Sequence, residues 1–377
     1  MMLNKFAAFT VLILLAVTPA YAESFESPRS VTANASPLQA LIETATKGDA
    51  YAQTELGLVY EYGRGVPKDY KEALNWYTKA ANQDYARAQC NLGLAYENGR
   101  GTPTDIKEAN KWYKKSANLA ISRAQVLLGV RYEQGKGIPQ DYDEAVKLYT
   151  KAAEQGYSPG MYNLALLYDK GKSMPPNYND TIKWYTKAAD NGYVKAQAML
   201  GVKYETGDGI PEDYNEAIKW YSKAANRGYA TAQYNLGLIY EDGKGVANDY
   251  NEAIKWYTKA GNQGDADAQF HLGQIYERFK VPYDYNEALK WLTKSANQGN
   301  ADAQYHLTVM NYKGRGVAKN NVEAYKWALL STANGRDTAI IEKSFVPKMT
   351  RAQIAEAKKL AKQFTEKLND ASSHVTK

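Results

Sequence analysis

Apolar residues recur along the chain with a period of 36 residues. The dipeptide Ala-Gln begins at positions 52, 88, 124, 196, 232, 268 and 303, and Gly-Met stands at 160. A leucine column starts at Leu56, a tyrosine column at Tyr60, and a third column holds all seven tryptophans, with Leu148 as its one exception. A period of this length predicts a solenoid, in which each unit covers its neighbour's apolar face.

Each unit is predicted to contain two helices. In the first, Ala52, Leu56 and Tyr60 are spaced by four residues and form one apolar stripe. A glycine beside the leucine, as at Gly57, lowers helix propensity, so its recurrence indicates a close contact between helices. The helix is expected to end at Gly63-Arg64-Gly65, because glycine readily adopts the left-handed C-cap conformation.

The second helix begins with a different signature. Asp69 and Glu72 have the spacing of a capping box, and the pair recurs at equivalent positions of later units. Trp76 and Tyr77 lie on the apolar face that follows. Acidic residues fixed at helix starts are explained by capping, so we do not interpret them as general acids or metal ligands.

The ends of the array are predicted to carry capping elements. A half-repeat opens the region 37–335, which contains eight repeats, and residues 336–377 form a linker and a C-terminal capping helix that starts at Thr350-x-x-Gln353. The tail past Asp370 is expected to be loose. The fold class is therefore all-α.

The N-terminus has the features of an export signal. Lys5 precedes the apolar stretch 6–17, and Ala20-Tyr21-Ala22 provides a small-residue cleavage site. We predict a cleaved signal peptide at 1–22, a disordered spacer at 23–36, and an exported protein that is periplasmic or secreted. The apolar stretch is too short for a stable membrane anchor.

Charge and cysteine content exclude several classes of function. The formal net charge of +6 is mild for 377 residues and gives no basis for nucleic-acid binding. The single cysteine, Cys90, excludes an intramolecular disulfide and is expected to be a small buried residue. Phosphate-binding loops and nucleophile motifs do not appear, so we expect no enzyme activity, no cofactor and no small-molecule substrate.

At these columns the chain resembles the Sel-like repeat family, which is related to the tetratricopeptide repeats. The segments Ala232–Val246 and Asp249–Ala260 carry the resemblance, which extends over about 37–335. It implies a right-handed superhelix of antiparallel helix pairs and scaffold work through protein contacts. Exported bacterial members of the family are linked to host-cell entry and virulence, or to the cell envelope. A branch that acts on β-lactams relies on a disulfide in each repeat, which this chain lacks.

The first helices of such arrays line the concave face. The helical period predicts exposure for the stripe opposite Ala52, Leu56 and Tyr60. Residues in this stripe vary between units, and their charge changes from basic to acidic along the array, which suits a partner of opposite polarity. The candidates for contact with a protein partner are Arg87, Arg123, Tyr162, Asn163, Lys195, Met199, Tyr234, Asn235, Phe270, His271, Tyr305 and His306.

Three alternatives stay open at this point. His271 and His306 are equivalent residues of adjacent units, yet two imidazoles alone do not make a metal site. A lysine column on the second helices, from Lys79 to Lys294, is a potential contact for anionic lipid headgroups, but a solvated convex face near helix C-termini is the favoured explanation. A periplasmic cell-envelope factor, or a weak cell-wall or β-lactam hydrolase, is the alternative function.

Overall fold

A computed structural model of the chain describes residues 37–172, 177–279 and 282–375, with side chains up to residue 370. Within these ranges the regular structure is helical throughout, and the predicted all-α solenoid is confirmed. The predicted signal peptide and spacer lie outside the described residues.

Eight helix pairs form the array. The first helices of units 1 to 8 are α2 (Ala50–Tyr62), α4 (Ala86–Asn98), α6 (Ser122–Gln134), α8 (Ser158–Lys170), α10 (Val194–Thr206), α12 (Ala230–Asp242), α14 (Ala266–Arg278) and α16 (Ala301–Lys313). The second helices are α3 (Tyr70–Ala81), α5 (Ile106–Asn118), α7 (Tyr142–Glu154), α9 (Tyr178–Asp190), α11 (Tyr214–Asn226), α13 (Tyr250–Asn262), α15 (Tyr285–Asn297) and α17 (Asn321–Ala333).

Additional helices close both ends. α1 (Pro37–Thr46) packs against α2, and α19 (Arg351–Val375) packs against α17. The linker contains a helix that the sequence pattern did not predict, α18 (Ala339–Phe345), followed by a 3-10 turn at Val346–Lys348. Phe345 is fully buried and holds α18 in place. The expectation of a loose tail is wrong as far as Val375, because no glycine or proline interrupts the helix there.

The predicted caps are present, with one difference. The Asp69 carboxylate accepts hydrogen bonds from the backbone N–H groups of Lys71 and Glu72, as an N-cap should. The glutamate carboxylates of the later units do not complete a capping box but bind a lysine three residues on, as Glu108 binds Lys111 at 2.6 Å. The reciprocal capping box occurs at α19, between Thr350 and Gln353.

The first helices lie on the inner side of the curve. Successive first helices contact one another directly in five neighbouring pairs, beginning with α2 and α4. No two successive second helices of the described repeats come as close. A stack that is tighter along one row of helices must curve toward that row, so the inward face is built from the first helices.

Candidate protein-binding face

In units 1, 2, 3, 5 and 6, a tyrosine on the second helix reaches across to a glutamate on the first helix of the same unit. The Tyr77 hydroxyl donates to Glu61 Oε2 at 2.6 Å, and Tyr257 donates to Glu241 at the same distance. The ring passes over the recurring glycine, where a Cβ on Gly57 would lie 2.5 Å from Tyr77 Cε1. The predicted close helix contact is therefore confirmed. Burial, and then the negative charge of Glu61, raise the pKa of Tyr77 far above its ordinary value.

In most units, the carboxylate at this position of the first helix also binds a positively charged or ionisable side chain from the next unit. Near the N-terminus this partner is an arginine, as Arg100 binds Glu61 at 2.5 Å. Near the C-terminus it is a histidine, as His271 Nδ1 lies 2.8 Å from Glu241 Oε2. The carboxylate column therefore joins successive units as well as the two helices of one unit.

The last of these carboxylates is the most deeply buried. Glu277 is almost fully buried and lies 2.6 Å from His306 Nδ1 and 3.2 Å from Arg315 Nη1. Burial alone would raise the pKa of Glu277, but the hydrogen bond from His306 and the charges of Arg278 and Arg315 outweigh burial and lower the pKa. Glu277 is therefore held ionised.

The structure corrects part of the predicted exposure of the binding stripe. Of the twelve candidates, only Arg87 and Lys195 are exposed. The expectation of exposure is wrong for His306, which is 3% exposed, because it packs toward the preceding unit and bonds Glu277. The other nine are half-buried: Arg123, Tyr162, Asn163, Met199, Tyr234, Asn235, Phe270, His271 and Tyr305. Their contact with a partner stays a prediction.

Aromatic and imidazole rings line units 6 to 8 without a gap. The centroid distances between neighbours are 5.8 Å for Tyr234 and His271, 5.4 Å for His271 and Phe270, 5.5 Å for Phe270 and His306, and 6.1 Å for His306 and Tyr305. We call these five residues the ring row. Phe270 contacts both imidazoles, so the two histidines are separated by a ring, and each binds a glutamate instead of a shared ligand. No group of three or more metal-ligating side chains occurs in the described residues.

The two ends of the inward face differ in charge, as the sequence predicts. Arg87 and Lys195 are exposed in units 2 and 5, and Arg87 is paired with Glu55 at 2.8 Å. Asp267 and Asp302 take the equivalent positions in units 7 and 8. Asp302, like Arg87, is paired within the chain, here with Arg336, and recognition of this charge pattern by a partner stays a prediction.

The lysine column of the second helices is engaged with tryptophan rings. Lys79 Nζ lies 4.0 Å from the Trp76 ring centroid, and Lys223 Nζ lies 3.7 Å from that of Trp220. These cation–π contacts give the column a packing role within each unit. Among the described residues, the helices are all too short or too polar to cross a bilayer.

The Sel1 repeat family model matches eight consecutive segments, which together run through most of the array: residues 50–85, 86–120, 122–157, 158–193, 194–229, 230–265, 266–300 and 301–335. The chain belongs to the Sel1 repeat family. Sel1 repeat proteins are generally protein-interaction scaffolds, and the solenoid is typically non-catalytic.

Two solved structures are similar over most of the chain. A Sel1 repeat protein from Oxalobacter formigenes is 30% identical with a TM-score of 0.61, covering 83% of this chain and 91% of its own. A protective antigen present in uropathogenic Escherichia coli strains, with an SLR fold, is 28% identical with a TM-score of 0.58, covering 86% of both chains. The comparison with curated proteins found no match.

The Ala-Gln dipeptide of these Sel1 repeats has a role that the sequence pattern marked but did not explain. The Gln53 amide donates to the Ala45 carbonyl at the end of the preceding helix, at 3.1 Å. Its oxygen accepts from Gln83, which lies just past the end of the second helix, at 2.8 Å. The glutamine thus ties the first helix to the helices on both sides. The sequence signal for this role was a glutamine that recurs directly after a buried alanine.

The single cysteine of this Sel1 repeat protein is a packing residue. Cys90 is 2% exposed and lies in the core of units 2 and 3. Burial raises the pKa of its thiol to about 11, so the thiol stays protonated at neutral pH. A protonated, enclosed thiol is a poor nucleophile.

Proposed function

We propose that this Sel1 repeat protein is an exported scaffold that binds another protein along its inward face. The observation that carries the proposal is the contrast between columns. Alanine, leucine and glutamine recur where units stack, whereas the inward stripe changes residue type and charge from unit to unit. Stacking requires the same residue types at the alanine, leucine and glutamine columns. The variable positions of the inward stripe are therefore available for recognition of a partner.

Two observations support export and an encounter with host cells. The N-terminal sequence combines Lys5, an apolar stretch and Ala20-Tyr21-Ala22, which is the pattern of a cleaved signal. One similar solved structure is that of a protective antigen of uropathogenic Escherichia coli. We infer that the protein acts outside the cytoplasm, in host-cell interaction, and without catalysis.

Binding is tested by site-specific photo-crosslinking in the native host. A crosslinker at position 195 samples an exposed inward residue, and a crosslinker at position 71 samples an exposed residue of a second helix. We expect a defined crosslinked partner from 195 and none from 71. The charge reversals Arg123→Glu and Lys195→Glu should weaken its capture, while Lys71→Glu should not. Equal capture from both positions would contradict the assignment of the inward face.

Export is tested by N-terminal sequencing of the protein recovered from cell fractions. We expect the mature chain to begin at Glu23 and to be present in the periplasm or medium. A chain that starts at Met1 in the cytoplasm would contradict export. Recovery only in the cell envelope, with no partner beyond envelope components, would favour the periplasmic envelope factor over host interaction.

A further inference from the structure

We propose that the inward side of units 6 to 8 docks an arginine-bearing segment of a partner protein, with a guanidinium seated beside Phe270 and Asp267. This inference rests on the proposed scaffold function and names the chemistry of the partner. It derives from a contact that the chain already makes with its own arginine.

The end of the ring row shows which group fits against it. The guanidinium carbon of Arg336 lies 4.1 Å from the centroid of the Tyr305 ring. The same guanidinium binds the Asp302 carboxylate, one turn away on the same helix. Ring and carboxylate therefore act together on a planar cation, a combination that suits arginine better than lysine.

The same two columns continue into unit 7, where no guanidinium occupies them. Phe270 corresponds to Tyr305, and Asp267 corresponds to Asp302. Asn300 takes the place of Arg336, and its neutral amide donates to Asp267 Oδ1 at 3.0 Å. Asp267 is exposed and forms no ion pair with any residue of the described chain. An incoming guanidinium would find the same ring, the same carboxylate and only an amide to displace.

Unit 6 extends this surface with a further ring and more negative charge. The Tyr234 ring lies in the same column as Phe270. Asp265 follows Gly264 of unit 6 just as Arg336 follows the equivalent glycine of unit 8. Burial first, and then the charges of Asp267 and Asp265, raise the pKa of Tyr234. Asp265 is the N-cap of α14 and Asp267 lies in its first turn, so two carboxylates stand close together here, and their negative charge attracts a cation.

The decisive measurement is the affinity of the full mature chain for three labelled peptides, followed by fluorescence anisotropy. The peptides are repeats of Gly-Ser-Arg, Gly-Ser-Lys and Gly-Ser-Glu. We expect the arginine peptide to bind most tightly. The variant Asp267→Asn should weaken its binding by about tenfold, because a charge-assisted hydrogen bond is lost. Asp190→Asn, at an exposed carboxylate on a second helix, is the matched control and should leave binding unchanged.

A second variant tests the inference in the opposite direction. Arg336→Gln releases Tyr305 and Asp302, so the arginine peptide should gain a second place and bind about threefold more tightly. Arg351→Gln removes an equal charge from the exposed start of α19 and serves as the control. An equal effect of the two substitutions would mean that only net charge matters, and would overturn the inference.

The remaining outcomes separate this inference from the scaffold proposal. Equal binding of the arginine and lysine peptides overturns the choice of guanidinium, and the absence of binding to any peptide overturns the surface. A chain that crosslinks to a partner through position 195 but ignores all three peptides leaves the scaffold proposal standing. A chain that binds the arginine peptide through Asp267 but crosslinks to no protein supports the arginine site and contradicts the scaffold proposal.

Discussion

Units 4 and 6 occupy the same kind of position in the array but use different contacts. In unit 6, Gln233 donates to the Ala225 carbonyl at 2.9 Å and accepts from Gln263 at 2.7 Å. In unit 4 the equivalent residue is Met161, whose sulfur lies 3.8 Å from the amide nitrogen of Asn191. The thioether contact therefore takes the place of the glutamine's bond inside the unit, and the Met161 side chain has no N–H group to donate to the carbonyl that ends the preceding helix.

The tyrosine contact inside the unit differs as well. Tyr257 of unit 6 bonds Glu241, whereas the buried hydroxyl of Tyr185 in unit 4 has no hydrogen-bond partner among the described residues. Its acceptor would be Asp169, which is one methylene shorter than glutamate. Asp169 instead binds Lys203 of the next unit at 2.5 Å.

Packing takes the place of these hydrogen bonds in unit 4. Its buried residues belong to a continuous apolar cluster that runs from Val126 to Trp220, through three units. Gly160 stands where the other units have alanine, and a Cβ there would lie 2.7 Å from the Cβ of Ala152. The first helix of unit 4 thus approaches its neighbour more closely than alanine would allow. In unit 4, closer apolar contact between helices thus accompanies the loss of the glutamine and tyrosine hydrogen bonds.

Substitution of the glycine beneath the tyrosine ring should have the largest effect on stability. A Cβ on Gly237 would lie 2.4 Å from Tyr257 Cε1, so Gly237→Ala must displace a fully buried ring. We expect a loss of about 3 kcal/mol in the local free energy of unfolding. Native-state hydrogen exchange of the unit 6 amides measures it, because each repeat contacts only its neighbours. Unit 4 already has Ala165 at this position, and Ala165→Gly should cost only about 1 kcal/mol. Equal costs would refute the steric explanation.

The second largest effect on stability should come from removal of a tyrosine hydroxyl, and it should differ between units 6 and 4. Tyr257→Phe removes a hydrogen bond to a carboxylate and should cost about 2 kcal/mol. Tyr185→Phe removes a hydroxyl that has no partner and should change stability by less than about 0.5 kcal/mol, or increase it. Hydrogen exchange of the second helices α13 and α9 provides both values. A cost in unit 4 as large as that in unit 6 would show that Tyr185 has an acceptor after all.

The sequence predicted the repeated framework more completely than the candidate site. Recurrence alone identified the helix pairs, the caps and the tight contact at Gly57, because these contacts are repeated in most units. It could not assign exposure at His306, since the depth of an inward side chain depends on how closely successive first helices approach. The helix at Ala339–Phe345 occurs once, so no repeat marked it. The pairing of His271 with Glu241 joins columns on different helices, and no spacing within one helix encodes it.

The glutamine bridge should give a smaller effect. Gln233→Met makes unit 6 resemble unit 4, but without the close approach that Gly160 permits. The Ala225 carbonyl and the Gln263 amide would both lose a partner, and we expect a cost of about 1.5 kcal/mol. The ends of α11 and α13 should exchange faster, while α3 should be unaffected. A loss spread evenly over all units would argue against a local bridge.

The reverse change in unit 4 should have the smallest effect and the opposite sign. Met161→Gln would bring an amide to the end of α7, where the Ala153 carbonyl corresponds to Ala225 in unit 6, and would offer an acceptor to Asn191. A net gain of about 1 kcal/mol follows if both bonds form, since each contributes about 0.5–1.5 kcal/mol and burial of the thioether is lost. Met161→Leu keeps the volume without the amide and should be neutral. Slower exchange at the ends of α7 and α9 in Met161→Gln alone would show that the bridge is transferable. No gain over Met161→Leu would mean that the closer approach at Gly160 has removed the space in which the bridge forms.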